Sequence, residues 1–254
     1  MITPQTWHHG LVADWWASMN VDAPEIEAYR GYIDDDGPIL DAGCGAGRLL
    51  VPWLRRGFDI DGCDASADMI DRCRERARAE GLEPTLWVAP LHMLGAPRRY
   101  ATIVVCGAFG LGSTRAQDEQ AIGVLYDALE PGGSLVLDNE VPYSHARRWS
   151  WWAERPELPR PWSSEPDRGT ATDGSELRLW SRTIDLDPLD QSLRLQIRVE
   201  KSSNGTVVAR EEHELTMRMW FRDELVMAMR HAGFRSVDVS PGVEERILVY
   251  VARR

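Results

Sequence analysis

The sequence predicts an α/β fold: a Rossmann-like, doubly wound, mostly parallel seven-stranded sheet that carries an antiparallel β-meander insertion. Three observations predict it. Short, almost wholly apolar runs alternate with segments of helical periodicity from Gly37 onward, as expected of strands buried on both faces. A glycine-rich turn follows the first of these runs, and three strictly alternating polar–apolar runs follow residue 176.

Taken in order, GPILDAGCGAGRLLVPWLRRG (37–57) reads as a short buried strand, a glycine turn and a helix ended by Gly57. FDIDGCD (58–64) is the second strand. A helix follows over about Ser66 to Gly81, with Met69, Ile70, Cys73 and Ala77 at helical spacing. TLWVAP (85–90) and YATIVVCGAFG (100–110) are strands three and four, and QDEQAIGVLYDALEPGG supplies the helix before strand five, SLVLDNEV (134–141). The character then changes. Residues 143–166 are rich in tryptophan, proline and arginine, and the runs 176–186, 192–201 and 206–221 form a meander separated by DPLDQ and SNG turns. One meander face is expected to be solvated, the other packed on the parallel sheet's flank or on a second subunit. A helix at 222–233 and strands FRSVDVS and RILVYVA return to the α/β pattern. The expected organisation is an N-terminal helical cap (1–36), a cofactor-binding core (37–140), a lid segment with the β insertion (141–219) and a C-terminal completion of the core (220–254).

Composition bounds the function. With 254 residues, one elaborated domain is the expectation. The 29 basic and 40 acidic residues leave a net charge of -11, which would repel a nucleic-acid backbone or an anionic membrane. Mean hydropathy is -0.36. No apolar run approaches the roughly 18 residues of a spanning helix, and MITPQTWHHG lacks a basic-then-apolar signal pattern, so a cytoplasmic protein is expected. Four cysteines (Cys44, Cys63, Cys73, Cys106) without CxxC spacing fit neither a disulfide scaffold nor a zinc site and read as reduced thiols. The six histidines have no metal-ligand spacing either.

The strongest chemical signal is Asp41-Ala42-Gly43-Cys44-Gly45-Ala46-Gly47, at the carboxyl end of the first strand. Glycines let backbone approach a ligand closely at positive φ, and a following helix offers N–H groups. A dinucleotide fingerprint would be GxGxxG; here Gly47 comes one residue after the pair and Arg48 takes the place of a spacer, which disfavours a nicotinamide cofactor.

LDAGCGAG resembles the first motif of the class I S-adenosylmethionine-dependent methyltransferases, an acid followed by xGxGxG. Asp64, at the end of strand two, stands where that family places the acid that bonds both ribose hydroxyls, and ALEPGGSLVL (128–137) is similar to its helix, PGG turn and fifth strand. The resemblance covers residues 37–139 and resumes at Trp220. It implies that S-adenosylmethionine is the cofactor and S-adenosylhomocysteine the product. Asp41 would order the turn, Gly43, Cys44, Gly45 and Gly47 would face the methionine portion, and Ala65 and Met69 would flank the adenine. Pro90 replaces the acid that in the family bonds the adenine amino group, leaving the Leu91 N–H, with His92 to compensate. Cys106 to Phe109 would lie beside the sulfonium.

Methyl transfer is an in-line displacement for which positioning in a dry pocket supplies much of the catalysis. A neutral amine needs no base, whereas a hydroxyl does, and the candidates are His8, His9, Glu140, Tyr143 and His145. Seven of the eleven tryptophans lie near the N-terminus (Trp7, Trp15, Trp16) or after strand five (Trp149, Trp151, Trp152, Trp162), where they could wall an acceptor or simply pack a lid. Trp16, Phe109, Glu140, Tyr143 and Trp151 are the candidate acceptor contacts, with Arg147 beside them. The meander is similar in placement to the extra strands of bacterial sugar N-methyltransferases. A small-molecule acceptor methylated on nitrogen or oxygen is the expectation, with nitrogen slightly favoured, and a homodimer through the meander. A nicotinamide-dependent oxidoreductase and an inactive methyltransferase-like binding protein are the alternatives.

Overall fold

The computed structural model describes residues 6, 8–19, 23–33, 37–140, 157–244 and 246–254. Strands β1 (Ile39–Ala42), β2 (Ile60–Asp64), β3 (Leu86–Val88), β4 (Tyr100–Val105) and β5 (Leu129–Glu140) run parallel. With β10 (Ser236–Pro241) and β11 (Ile247–Arg253) they make a seven-stranded sheet in the order β10-β11-β5-β4-β1-β2-β3, in which β11 is antiparallel to both neighbours. The expected fold class is the one found.

All four residues of β1 are buried because helices cover both faces of the sheet. Helices α2 (Glu25–Arg30), α3 (Leu50–Arg55) and α4 (Ala67–Ala79) contribute Ile26, Tyr29, Trp53, Ile70 and Cys73 to one layer. The other layer takes Ile122 and Leu125 from α5 (Arg115–Ala128) and Leu225 and Met229 from α6 (Arg222–His231). Local signals fix the helix starts: the Ser66 hydroxyl accepts the Met69 N–H at 3.2 Å, and Thr114 and Gln117 close a reciprocal capping box on α5. Two boundaries differ from expectation. The first helix begins only at Leu50, because residues 45–49 are spent in the turn, and β5 begins at Leu129, taking in the PGG segment.

The strand order reverses between β1 and β4, so the connections there leave in opposite directions and open a crevice at the carboxyl ends. Over that crevice lies a second sheet, β6 (Asp167–Thr170), β7 (Glu176–Asp187), β8 (Ser192–Ser203) and β9 (Thr206–Arg218), paired in sequence. The sequence suggests three strands; β6 is a fourth, only four residues long and without an apolar pattern. Part of the meander's apolar face is covered by helix α1 (Gly10–Met19), whose Leu11, Val12 and Trp15 pack on Leu177, Leu179, Ile197, Val199 and Leu215, and Met217 pairs with Leu111 of the loop after β4. Alternation demanded a cover for this face, and the chain's own first helix provides part of it.

Helix α1 is fastened on both sides. The Leu11 N–H donates to Glu211 of β9 at 2.9 Å, and the Gly10 N–H to Asp68 of α4 at 2.7 Å. Arg72 of α4 grips Asp14 through two nitrogens at 3.0 and 2.7 Å. The far end of β9 is stitched to the loop after β4 by Gly112 N–H to Thr216 O and Arg218 N–H to Gly110 O, both 2.8 Å. A side chain at Gly110 (φ +76°) would place its Cβ 2.4 Å from the Arg218 carbonyl oxygen, so only glycine permits this seam. All four cysteines are buried and unpaired. Among the described residues no helix is long and apolar enough to cross a membrane.

Candidate active site

A cavity of about 640 Å³ opens at the carboxyl ends of β1, β2, β4 and β5, within the usual range for a small-molecule site. The residues after β1, β2, β3 and β4 line it, with Glu25 and Tyr29 of α2 and Gln117 and Asp118 of α5. Residues from α1, β8, β9 and the ends of β5 and β11 complete the lining.

The glycine turn works differently from a simple array of amide donors. The N–H groups of Gly43 and Cys44 both donate to the Cys63 carbonyl (2.8 and 2.9 Å), that of Gly47 to the Cys44 carbonyl (2.9 Å), and that of Gly45 to Asp64 Oδ2 (2.9 Å). The three glycines also divide their labour. A Cβ on Gly43 would sit 2.3 Å from Ala108 Cβ, and one on Gly47 would sit 2.7 Å from Val51 Cγ2 and 2.9 Å from Cys73 Sγ. Both positions are closed by the protein itself, and Gly47 does not line the cavity. Gly45 (φ +54°) meets only the mobile end of Met69, at 3.2 Å, and presents bare backbone to the cavity.

Asp64 ends β2 with its carboxylate against this turn. One oxygen accepts the Gly45 N–H, and the other accepts the Ser66 N–H at 2.8 Å. A carboxylate offers about four acceptor positions, so two bonds to backbone leave one position on each oxygen for a vicinal diol. Burial raises its pKa, and the two backbone donors oppose that rise. Asp41, mid-sheet on β1, is 2% exposed and lies outside the cavity lining. Burial, against the pull of Arg48 and the Leu50 N–H, raises it to about 7, and its Oδ2 has no partner.

Ala65, Met69, Leu91 and His92 line the cavity beyond Asp64. Pro90 is extended (ψ 153°) and starts a single turn of 3-10 helix, Leu91–Met93, whose first N–H has no partner within the turn. His92 Nε2 lies 3.3 Å from the Gln117 side-chain amide nitrogen, so α5 holds its ring. Cys44 and Cys106 also line the cavity, with their thiols pushed up: Cys44 by the neighbouring Cys73 thiol and burial, Cys106 by burial and Asp138. Neither is a thiolate nucleophile.

Sequence reasoning missed a polar cluster at the Cys106 end. Arg48 donates to Glu25 Oε1 and to Cys106 Sγ, each at 3.1 Å. Asp138, inside the apolar β5, accepts the Tyr29 hydroxyl at 2.5 Å and the Gly107 N–H at 2.6 Å, which holds the loop after β4 in place. Burial raises both the Asp138 carboxyl and the Tyr29 phenol, the latter also through the adjacent Asp138. An aspartate in an otherwise apolar strand was the available signal, since a buried carboxyl must find partners. The Arg48–Glu25 pair joins residues too far apart in the chain to be read from spacing.

Of the acceptor and base candidates, Trp16, Phe109, Glu140 and His8 line the cavity. Burial, reinforced by His9, lowers His8 to about 4, and its Nδ1 pairs with the Thr6 hydroxyl. His9 instead packs edge-on against His213 of β9, ring centres 4.3 Å apart, outside the cavity lining. Trp15 is core, and Trp162 lies between Arg182 and Arg198, each guanidinium about 4.5 Å from its ring. Tyr143, His145, Arg147, Trp149, Trp151 and Trp152, like Trp7, lie outside the described residues.

A glycine turn after β1, an acid at the end of β2 and this strand order have the arrangement of the class I methyltransferase fold. Residues 39–133 of the chain match the family described as methyltransferase domain. Its fold is similar to that of DesVI from Streptomyces venezuelae (TM-score 0.69, 20% identity, 94% of this chain and 91% of that one). It is also similar to the sugar N-methyltransferase KedS8 from a Streptoalloteichus species (TM-score 0.65, 16% identity, 95% and 86%). By sequence, a carboxy-S-adenosyl-L-methionine synthase from Erwinia tasmaniensis is 27% identical over 121 residues, 45% of this chain and 48% of that protein. The chain thus aligns with about half the length of the curated relatives it matches.

The residues present fit the cofactor of this class. Gly45 leaves a cradle that any Cβ would begin to fill, Asp64 keeps acceptor capacity, and the cavity continues past both toward Cys106.

Proposed function

We infer that this protein transfers the methyl group of S-adenosylmethionine to a nitrogen, or less favourably an oxygen, of a small-molecule acceptor. The observation that carries the reading is the Asp64 carboxylate, bonded to the Gly45 N–H at 2.9 Å on the wall of a cavity that also takes in Trp16, Phe109 and Glu140. When bound, the cofactor supplies an electrophilic methyl carbon on a sulfonium. The chain's own residues then bind, orient and exclude water. Asp64 takes the ribose hydroxyls, the Leu91 N–H and the Met69 side chain take the adenine, and Arg48 with Glu25 meets the amino-acid end.

Nitrogen is favoured by the state of the candidate bases. His8 at about 4 is too weak to deprotonate an alcohol, and His9 packs on His213 outside the cavity lining. A free amine brings its own lone pair, and orientation against the wall formed by Cys106 to Phe109 is what remains for the protein to supply. The sugar N-methyltransferase among the structural neighbours supports an amine acceptor by analogy of fold only.

The test begins with calorimetric titration of S-adenosylhomocysteine, which should saturate with the wild type and weaken sharply for Asp64→Ala. Mass spectrometry on a panel of amines and alcohols incubated with S-adenosylmethionine should then find a product 14 Da heavier among the amines. Absence of saturable cofactor binding would end the proposal.

A further inference from the structure

The inner face of the meander carries more apolar surface than helix α1 covers. On β8 and β9 the inward positions pair Leu193 with Met217, Leu195 with Leu215 and Ile197 with His213. Toward the Val199 end, α1 closes the face. Beside α1, Leu195, Leu215 and Met217 line the cavity together with Leu111 of the loop after β4 and Trp16 of α1. Successive inward positions of two strands therefore present one continuous apolar wall, fixed by hydrogen bonds from β9 to Gly110 and Gly112. Beside this wall Trp16 Nε1 is buried without a hydrogen-bond partner, and Ser113, Asp118, Glu140 and Arg218 bring polar side chains to the same cavity.

We propose that the acceptor is an amine carried on an apolar, carbon-rich body, alkyl or aryl, that lies against Leu195, Leu215 and Met217, and not a polyhydroxylated amine. The inference rests on the methyl-transfer reading above and deepens it. A ring of hydroxyls placed against Leu195, Leu215 and Met217 would surrender its water without replacement bonds, whereas an alkyl or aryl group gains by leaving water. The like-for-like comparison with aminosugar acceptors is therefore set by this wall and not by the residues around Asp64.

The experiment measures, by calorimetry on protein loaded with S-adenosylhomocysteine, the affinities of 2-phenylethylamine and of glucosamine. The apolar amine should bind at least about tenfold more tightly. Leu195→Asn and, separately, Met217→Gln should pull that ratio toward one while the affinity for S-adenosylhomocysteine, the control for folding, stays within about twofold. Glucosamine binding as well as or better than 2-phenylethylamine overturns the proposal, as does a lack of saturable binding by the apolar amine. A ratio unmoved by both folded variants overturns it too. Should S-adenosylhomocysteine itself fail to bind, the methyl-transfer reading falls, and the amine preference, measured on the same protein without it, still decides this inference.

Discussion

Alanine at Gly45, Gly47 and Gly57 should separate binding from packing at the turn. All three have positive φ, +54°, +82° and +90°. Holding alanine in the left-handed region costs about 1–2 kcal/mol at each site. At Gly57 nothing lies within 4 Å of the added Cβ, so that cost is the whole effect. At Gly47 the methyl would collide with Val51 Cγ2 at 2.7 Å and Cys73 Sγ at 2.9 Å, both in a close-packed layer. Overpacking adds about 1–3 kcal/mol, for a total near 3 and a fall in melting temperature of roughly 6–12 °C. At Gly45 the Met69 methyl can swing away, so the stability loss should match that of Gly57, but the Cβ intrudes on the cavity and cofactor affinity should drop by at least about tenfold. Urea unfolding at unchanged m-value and calorimetry with S-adenosylhomocysteine read the two axes independently. Equal destabilisation by Gly47→Ala and Gly57→Ala, or full cofactor affinity in Gly45→Ala, would refute the division.

Asp64→Asn should weaken S-adenosylhomocysteine binding by roughly 1.5–3 kcal/mol, about ten- to a hundredfold, because an amide loses acceptors and charge while keeping the shape; calorimetry checks it. Asp41, raised to about 7 in the folded chain, binds its proton more tightly there than when unfolded. Its contribution to stability is complete below the unfolded value of 3.8 and is lost as pH rises through about 7. Asp41→Asn should therefore gain on the wild type in urea midpoint between pH 5 and pH 7.5, and a constant difference would count against burial as the cause. Glu211→Ala removes the acceptor of the Leu11 N–H and should cost about 1–2 kcal/mol, read as lost hydrogen-exchange protection of α1 amides.

Most of the parallel sheet was legible because β1 and β4 are buried on both faces and so nearly free of polar residues. The acid at the end of β2 was legible because a capped helix follows it directly and it stands 19 residues after Gly45 of the glycine turn, which it bonds. What covers the meander was not. Strand alternation states that one face must be dry without stating which element dries it, and α1 lies two hundred residues away from Glu211 in sequence. Strand β6 (DRGT) escaped because an edge strand of four mostly exposed residues has no apolar period to read. Arg48 was noticed only as a departure from glycine spacing; its partners, Glu25 and Cys106, come together through the turn's path. The amides of Gly43, Cys44 and Gly47 read as ligand donors, and the structure spends them inward, because a turn this tight needs its own bonds.

Helix α1 is clamped to β9 at one side and to α4 at the other, and α4 carries the Met69 that abuts Gly45. A guest that shifts the meander thus tugs, through one rigid rod, on the wall of the neighbouring chamber. Thermodynamic reciprocity then requires each occupant to alter the other's hold by the same factor, so order of addition would change the path taken but never the final occupancy.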